Sequence, residues 1–308
     1  MTSFRTSAFV LGCVAALTWG LTGTFIKLLP GFTTLEVLSI RVLSAFVSTL
    51  VVFVFYPSLL STAIQLIRRP TGLLLSSLMV FYYLFAVRAF QLAPVGDVTL
   101  VVGLSPILGL IIKAVLGKGI VRTEIVGVSI SFIGLLLFIY PKVTGLGEEQ
   151  SIYLTGLFFA LLAACVSLGY AALFKHYSSL NKSIDPVAVS CATFAIGSMI
   201  IAPITVASSH LFLLEVVSDS RVAAISLGLG IIATAVPTFC YSYAAKYLSP
   251  ILTTALNLVT PVSAAAIAFI LLQETIPLLS IFGAVLIFVG IFLLSTAKPA
   301  VSQQSERL

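Results

Sequence analysis

Polar and charged positions in this chain are confined to short gaps, and between them run long apolar stretches. Such stretches fall near residues 8–29, 34–56, 71–92, 95–116, 121–140, 152–176, 184–207, 221–246, 250–272 and 277–296. Each has roughly the 20 mainly apolar residues that a membrane-crossing helix needs. The pattern predicts an all-α integral membrane protein of ten transmembrane helices. The widest gaps, around 57–70, 141–151 and 208–220, read as polar linkers, and none could hold a soluble domain. The first run follows Arg5 and has no small-residue cleavage site, so it is expected to be a retained helix.

Composition agrees. Of 308 residues, 60% are hydrophobic and 8% charged, against about 25% charged in soluble domains. The formal net charge of +6 then belongs to loops facing anionic headgroups, and nucleic acid is not an expected partner. Loop charge also orients the bundle. With the N-terminus inside, cytoplasmic segments collect Arg5, Arg68, Arg69, Lys118, Arg122, Lys175, Lys182, Lys246, Lys298 and Arg307. The outer loops hold Lys142 and Arg221, beside Glu148, Glu149, Glu215 and Asp219. The positive-inside rule puts both termini in the cytoplasm.

The chain also repeats itself. LAPVGDVTLVVGLSP (92–106) and LSPILTTALNLVTP (248–261) are apolar runs held between prolines. Lys118 to Gly127 spans the same nine positions as Glu274 to Gly283, and a second glycine follows seven residues later in each, Gly134 and Gly290. Small residues at helical spacing allow close helix approach in lipid. The reading is two five-helix repeats, residues 1–146 and 147–297, followed by a cytoplasmic tail, 298–308. An odd number of crossings per unit inverts the second in the membrane, the usual plan of carriers that alternate access.

Trp19–Gly20 with Lys27 in the first helix, Arg41 in the second, the Pro106 and Pro261 helices, the Leu272-Gln273-Glu274 end and the paired glycines resemble the drug/metabolite transporter superfamily, specifically its EamA-type ten-helix members. The resemblance covers nearly the whole chain and departs from the family pattern at Lys118, where an acid like Glu274 is more usual. It implies a secondary carrier, often an exporter of amino acids or other small metabolites, with no bound cofactor. A bacterial inner membrane is the expected location, and the oligomeric state is open, a monomer sufficing.

Ionisable groups inside a span are costly and ask for an explanation. Asp97, one turn into the fourth helix, reads either as a site for a substrate amine or proton or as a helix-start acid favoured by the dipole. Arg88 is placed to pair with Asp97 across a short turn, or to receive a zwitterionic or anionic substrate. Arg41 is read as structural, snorkelling outward or bonding loop carbonyls. Lys27 and Lys175 are read as helix-end lysines, Lys113 as reaching cytoplasmic headgroups, and Glu274 as a loop hydrogen-bonding acid. His176 and His210 are read as solvated.

Among uncharged residues, Trp19 lies away from the interfacial belts where tryptophan concentrates. Tyr82, Tyr83, Tyr170 and Tyr241 place phenols at mid-span, where each needs a hydrogen-bond partner. Asn257 shares a helical face with Thr253, Thr260 and Pro261. Aromatics with a few amides and hydroxyls would suit an amphipathic organic substrate. The substrate-binding set is therefore Trp19, Tyr82, Tyr83, Arg88, Asp97, Tyr170, Tyr241 and Asn257, with core packing as the rival reading for each.

No nucleotide loop, HExxH, paired catalytic acids or Ser/His/Asp grouping points to an enzyme. Cys13, Cys165, Cys191 and Cys240 lie in apolar runs without metal-site spacing and read as buried thiols, so neither metal nor disulfide is expected. A channel would need a ring of like charges, and a receptor or scaffold would leave the repeat unexplained. The expectation is a secondary transporter of a small organic metabolite, exporting or exchanging it. A proton-coupled uptake carrier working through Asp97 is the alternative.

Overall fold

The computed structural model describes residues 2–93, 95–117, 119–143, 150–180, 184–209, 212–272 and 277–296. Pro94, Lys118, Glu148, Glu149, Lys182, His210, Gln273, Glu274, Lys298 and Arg307 lie outside the described residues. Those described form helices and short connections, with no strand among them. The first apolar run is split into α1 (Thr2–Trp19) and α2 (Thr22–Lys27). Next come α3 (Thr34–Phe55), α4 (Pro57–Ile67) and α5 (Pro70–Leu92). The fourth run is also split, into α6 (Val95–Val102) and α7 (Ser105–Val115), and α8 (Arg122–Val143) follows. Then come α9 (Gln150–Leu180), α10 (Pro186–Ser208), α11 (Phe212–Ser218) and α12 (Ser220–Leu227). A π-helical stretch, Gly228–Ala235, joins α12 to α13 (Val236–Tyr247). A 3₁₀ turn, Leu256–Leu258, joins α14 (Pro250–Ala255) to α15 (Val259–Leu272), and α16 (Leu278–Thr296) is last.

Among the described residues seven helical stretches are long and apolar enough to cross a membrane: Phe4–Lys27, Thr34–Phe55, Pro70–Leu92, Ser151–Leu180, Pro186–Ser208, Ser220–Tyr247 and Leu278–Thr296. Their outer faces are apolar, with Val54 76% and Leu278 82% exposed. Water would not tolerate this, whereas lipid does. Two expected polar linkers contain helices instead. Pro57 occupies the first turn of α4, which buries Ala63 and Leu66 and leaves Leu60 and Ile64 exposed, the habit of a helix lying at a membrane surface. The second is α11, which buries Phe212.

Packing follows small residues. The most extensive helix contact among the described residues joins α8 and α16. A Cβ on Gly134 would lie 2.7 Å from the Gly283 oxygen, and one on Gly127 would lie 2.9 Å from the Gly290 oxygen. The two helices therefore run antiparallel with their backbones in contact, as four glycines permit. Elsewhere α5 packs on α9, α1 on α13, and α3 on α10. Gly20 completes the close fits, because a Cβ there would meet the Ala264 amide nitrogen on α15 at 3.1 Å.

Four stretches expected as continuous helices are interrupted: at Gly20–Leu21, at Gly103–Leu104, through the π-helical stretch and at the 3₁₀ turn. Prolines account for three. A proline has no N–H to donate to the carbonyl four residues back, so Pro106, Pro237 and Pro261 release the carbonyls of Val102, Ala233 and Asn257. Side chains or neighbouring amides reoccupy each one. Ser105 Oγ donates to Val102 O at 2.6 Å, Val259 N–H reaches Asn257 O, and Ala233 O is taken up by residues of the candidate site.

A central cavity around Arg41

The interruptions bring polar groups together inside the bundle. Thr22, just past the first break, donates to Ala233 O at 3.4 Å. Arg41, on α3, reaches the same carbonyl through Nη2 at 3.2 Å. Its Nε donates to Thr234 Oγ1 at 2.7 Å, and that hydroxyl donates onward to Leu229 O at 2.7 Å. Its Cζ stands 4.4 Å from the centre of the Tyr83 ring, a cation–π contact strengthened by exclusion of water. Arg41 is 1% exposed, and its Nη1 has no hydrogen-bond partner among the described residues. Of the two structural readings of Arg41, snorkelling outward is therefore corrected, while a bond to a backbone carbonyl is present, inside the bundle and not in a loop. The proline-released carbonyl in the π-helical stretch gives the guanidinium a polar berth in the interior, which the sequence periodicity did not disclose.

Arg41 lines a small central cavity of about 30 Å³ with Trp19, Thr22, Tyr82, Asn257 and Thr260. The remaining wall is Ala86 and Phe90 from α5 and Thr99 and Val102 from α6. That volume admits a water or two, so the site is nearly closed around its centre. Trp19 packs at 5.7 Å from Tyr82 and 5.0 Å from Tyr241, centroid to centroid. Of the eight buried side-chain atoms without a hydrogen bond by distance and angle among the described residues, four belong to this wall: Trp19 Nε1, Arg41 Nη1, and Nδ2 and Oδ1 of Asn257, although the Asn257 amide is close enough to the Tyr241 hydroxyl to interact with it. Buried polar atoms are otherwise nearly always paired. Half of the unpaired buried atoms among the described residues thus lie on this one wall.

Of the sequence-derived substrate-binding set, Trp19, Tyr82 and Asn257 come together here. Tyr83, Tyr170 and Tyr241 stand behind them with their hydroxyls engaged. Tyr83 donates to Thr238 Oγ1, whose own proton goes to Thr234 O. Tyr170 pairs with Ser242 at 2.7 Å and Tyr241 with Ser167 at 3.0 Å. Asp97 and Arg88 do not form the expected ion pair. Asp97, in the first turn of α6, is buried and accepts a hydrogen bond from the Tyr153 hydroxyl of α9. Neither residue lines the central cavity.

Arg88 is exposed and 3.5 Å from Thr34 Oγ1. It lines a larger vestibule of about 750 Å³ with Lys27, Gln91 and the turn through Gly31. At the rim Thr33 and Glu36 form a capping box that starts α3 and ties down the Glu36 carboxylate. Vestibule and cavity share helices: α2 runs from Thr22 to Lys27, and α5 from Tyr82 through Phe90 to Gln91.

Several other ionisable groups make contacts between helices or lie exposed. Lys113 pairs with Glu124 at 2.6 Å instead of reaching headgroups, the only ion pair among the described residues. Lys175 caps Lys246 O at 2.9 Å, and Lys246 caps Ile184 O at 2.7 Å. His176 is exposed, and no cluster of metal ligands occurs among the described residues. Cysteine burial is uneven: Cys191 is buried, Cys13 and Cys240 are partly buried, and Cys165 is exposed on α9, contrary to the expectation for it.

Comparison with known proteins gives this architecture a context. Two stretches, residues 6–140 and 154–296, match the model of the EamA-like transporter family. An uncharacterized transporter of Archaeoglobus fulgidus is 25% identical over 284 residues, 91% of this chain and 93% of that protein. A probable terminal-alkyne amino-acid exporter of Streptantibioticus cattleyicolor is 25% identical over 203 residues, 66% of this chain and 64% of its own length. A solved crystal structure of a protein superposes with a TM-score of 0.70 at 16% identity, covering 99% of this chain and 100% of the other. With both matched stretches together accounting for nearly all of its length, the chain belongs to the EamA-like transporter family and is an integral membrane transporter.

Proposed function

We propose that the protein is a secondary carrier that exports or exchanges a small organic metabolite by alternating access around the central cavity. The observation that carries the reading is the coincidence of three interrupted helices with unsatisfied polar side chains on one cavity wall, at Trp19–Thr22, Val102 and Asn257. Broken helices at mid-membrane, lining a site between repeats, are the arrangement secondary transporters use.

The ten-crossing, inverted-repeat reading draws support from packing. Mapping the first unit, residues 1–146, onto the second, 147–297, exchanges Gly127 with Gly283 and Gly134 with Gly290. The contact of Gly127 with Gly290 then becomes that of Gly283 with Gly134, and both exist. The same mapping exchanges the α5–α9 and α1–α13 pairs. The antiparallel course of α8 and α16 fits an odd number of crossings per unit. With the N-terminus cytoplasmic, the Lys27–Arg88 vestibule faces outward, and a bacterial inner membrane suits the loop charges.

The S. cattleyicolor relative is named a probable amino-acid exporter, so amino acids are compared with other small organic molecules as probes. Asp97 lies off the cavity wall, which favours facilitated export or exchange over proton-coupled uptake. The test is counterflow in proteoliposomes, with leucine, phenylalanine and 3-phenylpropionate as labelled probes. Transient accumulation of a probe, strongly reduced in Tyr82→Ala, is expected. No accumulation of any probe would argue against a carrier.

A further inference from the structure

Resting on the carrier reading, the geometry points to an organic anion as cargo: a carboxylate seated on the free Nη1 of Arg41, with an apolar or aromatic remainder against Trp19 and Tyr82. Arg41 is the only charged residue on the cavity wall among the described residues. Its present partners are a hydroxyl, a carbonyl and an aromatic face. None carries a negative charge, so among the described residues the guanidinium is buried without a counter-ion. A buried cation is strongly disfavoured until a carboxylate is brought to it. Guanidinium N–H groups match carboxylate oxygens in geometry as well as charge.

The rest of the wall selects further. Trp19 Nε1 adds an unpaired donor, and the Asn257 amide, beside the Tyr241 hydroxyl, adds polar surface that can donate or accept. Among the described residues no carboxylate lines the cavity to balance an ammonium group. A zwitterion would therefore bring one charge that is matched and one that is not, and an amine would meet only a like charge. The vestibule continues the same preference. Lys27 and Arg88 line it, 750 Å³ in extent, while the nearby Glu36 is engaged by the Thr33 backbone at 2.7 Å. Anions near that mouth are held at raised local concentration. Because the central cavity holds only a water or two, it must open to accept the remainder of such a molecule, as alternating access requires.

The test uses four compounds that share a phenylethyl skeleton and differ in charge: 3-phenylpropionate, its amide, phenylalanine and 2-phenylethylamine. Thermal-shift titration of the purified full chain reports half-saturating concentrations, since a ligand stabilises in proportion to its occupancy. The carboxylate is expected to half-saturate at least tenfold below the amide and below phenylalanine, and the amine to give no shift. In Arg41→Gln the carboxylate and amide should become equal, while Trp19→Ala weakens both. Equal binding of carboxylate and amide, tighter binding of phenylalanine or of the amine, or a carboxylate preference surviving Arg41→Gln would overturn the inference. The wild-type series decides the matter even if Arg41→Gln does not fold. Carboxylate binding without counterflow would instead refute the carrier reading and leave the anion site standing.

Discussion

The Gly283→Ala substitution puts a Cβ 2.5 Å from the carbonyl oxygen of Gly134 and 2.5 Å from the amide nitrogen of Phe138. Both are backbone atoms of α8, so no side-chain rotation relieves the overlap. Ordinary contact needs roughly 3.4 Å or more, and α8 and α16 must therefore part by about 1 Å, an overpacking that costs ~1–3 kcal/mol. Gly169, inside α9, is the control, because a Cβ there meets nothing within 4 Å. Gly169→Ala should be neutral or stabilising by up to about 1 kcal/mol through helix propensity. Equilibrium unfolding in mixed micelles, followed by circular dichroism, compares the two. Gly283→Ala should fall below wild type while Gly169→Ala does not. Neither α8 nor α16 lines the cavity, so the ligand preference of folded Gly283→Ala should be unchanged. Equal stability of the two variants would refute the close backbone contact between α8 and α16.

Glu124→Gln should cost about 1 kcal/mol in the same assay, because Lys113 loses its charged partner in a largely sheltered site; an unchanged midpoint would show that the pair adds nothing. Asp97→Asn retains an acceptor for the Tyr153 hydroxyl and leaves the cavity wall untouched. Its counterflow and pH dependence should match wild type, and a flattened pH profile would restore Asp97 as a coupling residue.

Much of the fold was legible because lipid simplifies the code. Apolar runs of span length locate the long helices, and glycines at matched spacing mark helices that can pack closely, although their mutual contact is visible only in the fold. What escaped was local. Helices 8–29 and 95–116 read as continuous because Gly20 and Gly103 disturb neither hydropathy nor length. Pro237 likewise leaves the run 221–246 apolar and continuous to the eye. The carbonyl it releases, Ala233 O, is what makes the interior habitable for Arg41. The readable signal was a proline four residues beyond a carbonyl at cavity depth, recurring at 106, 237 and 261.

The site was legible in part for the same reason. Trp19, Tyr82 and Asn257 stand out by being polar or amphipathic at mid-span, and they do converge. Tyr83, Tyr170 and Tyr241 stand out equally, yet their hydroxyls close on Thr238, Ser242 and Ser167. Which phenols face a cavity depends on helix rotation, which a nearly uniform apolar pattern does not encode. Arg41 was misread because an arginine two turns into a span can snorkel in either direction. The choice is set by partners 192 and 193 positions away.

Counterflow across a sealed membrane tests the central claim most directly. Proteoliposomes loaded with an excess of unlabelled leucine, phenylalanine or 3-phenylpropionate are diluted into the matching labelled compound, with wild type and Tyr82→Ala side by side. Wild type should accumulate label transiently above equilibrium for at least one probe, and the overshoot should fall at least tenfold in Tyr82→Ala. An overshoot of equal height in Tyr82→Ala, or none for any probe, would contradict a carrier that works through this cavity.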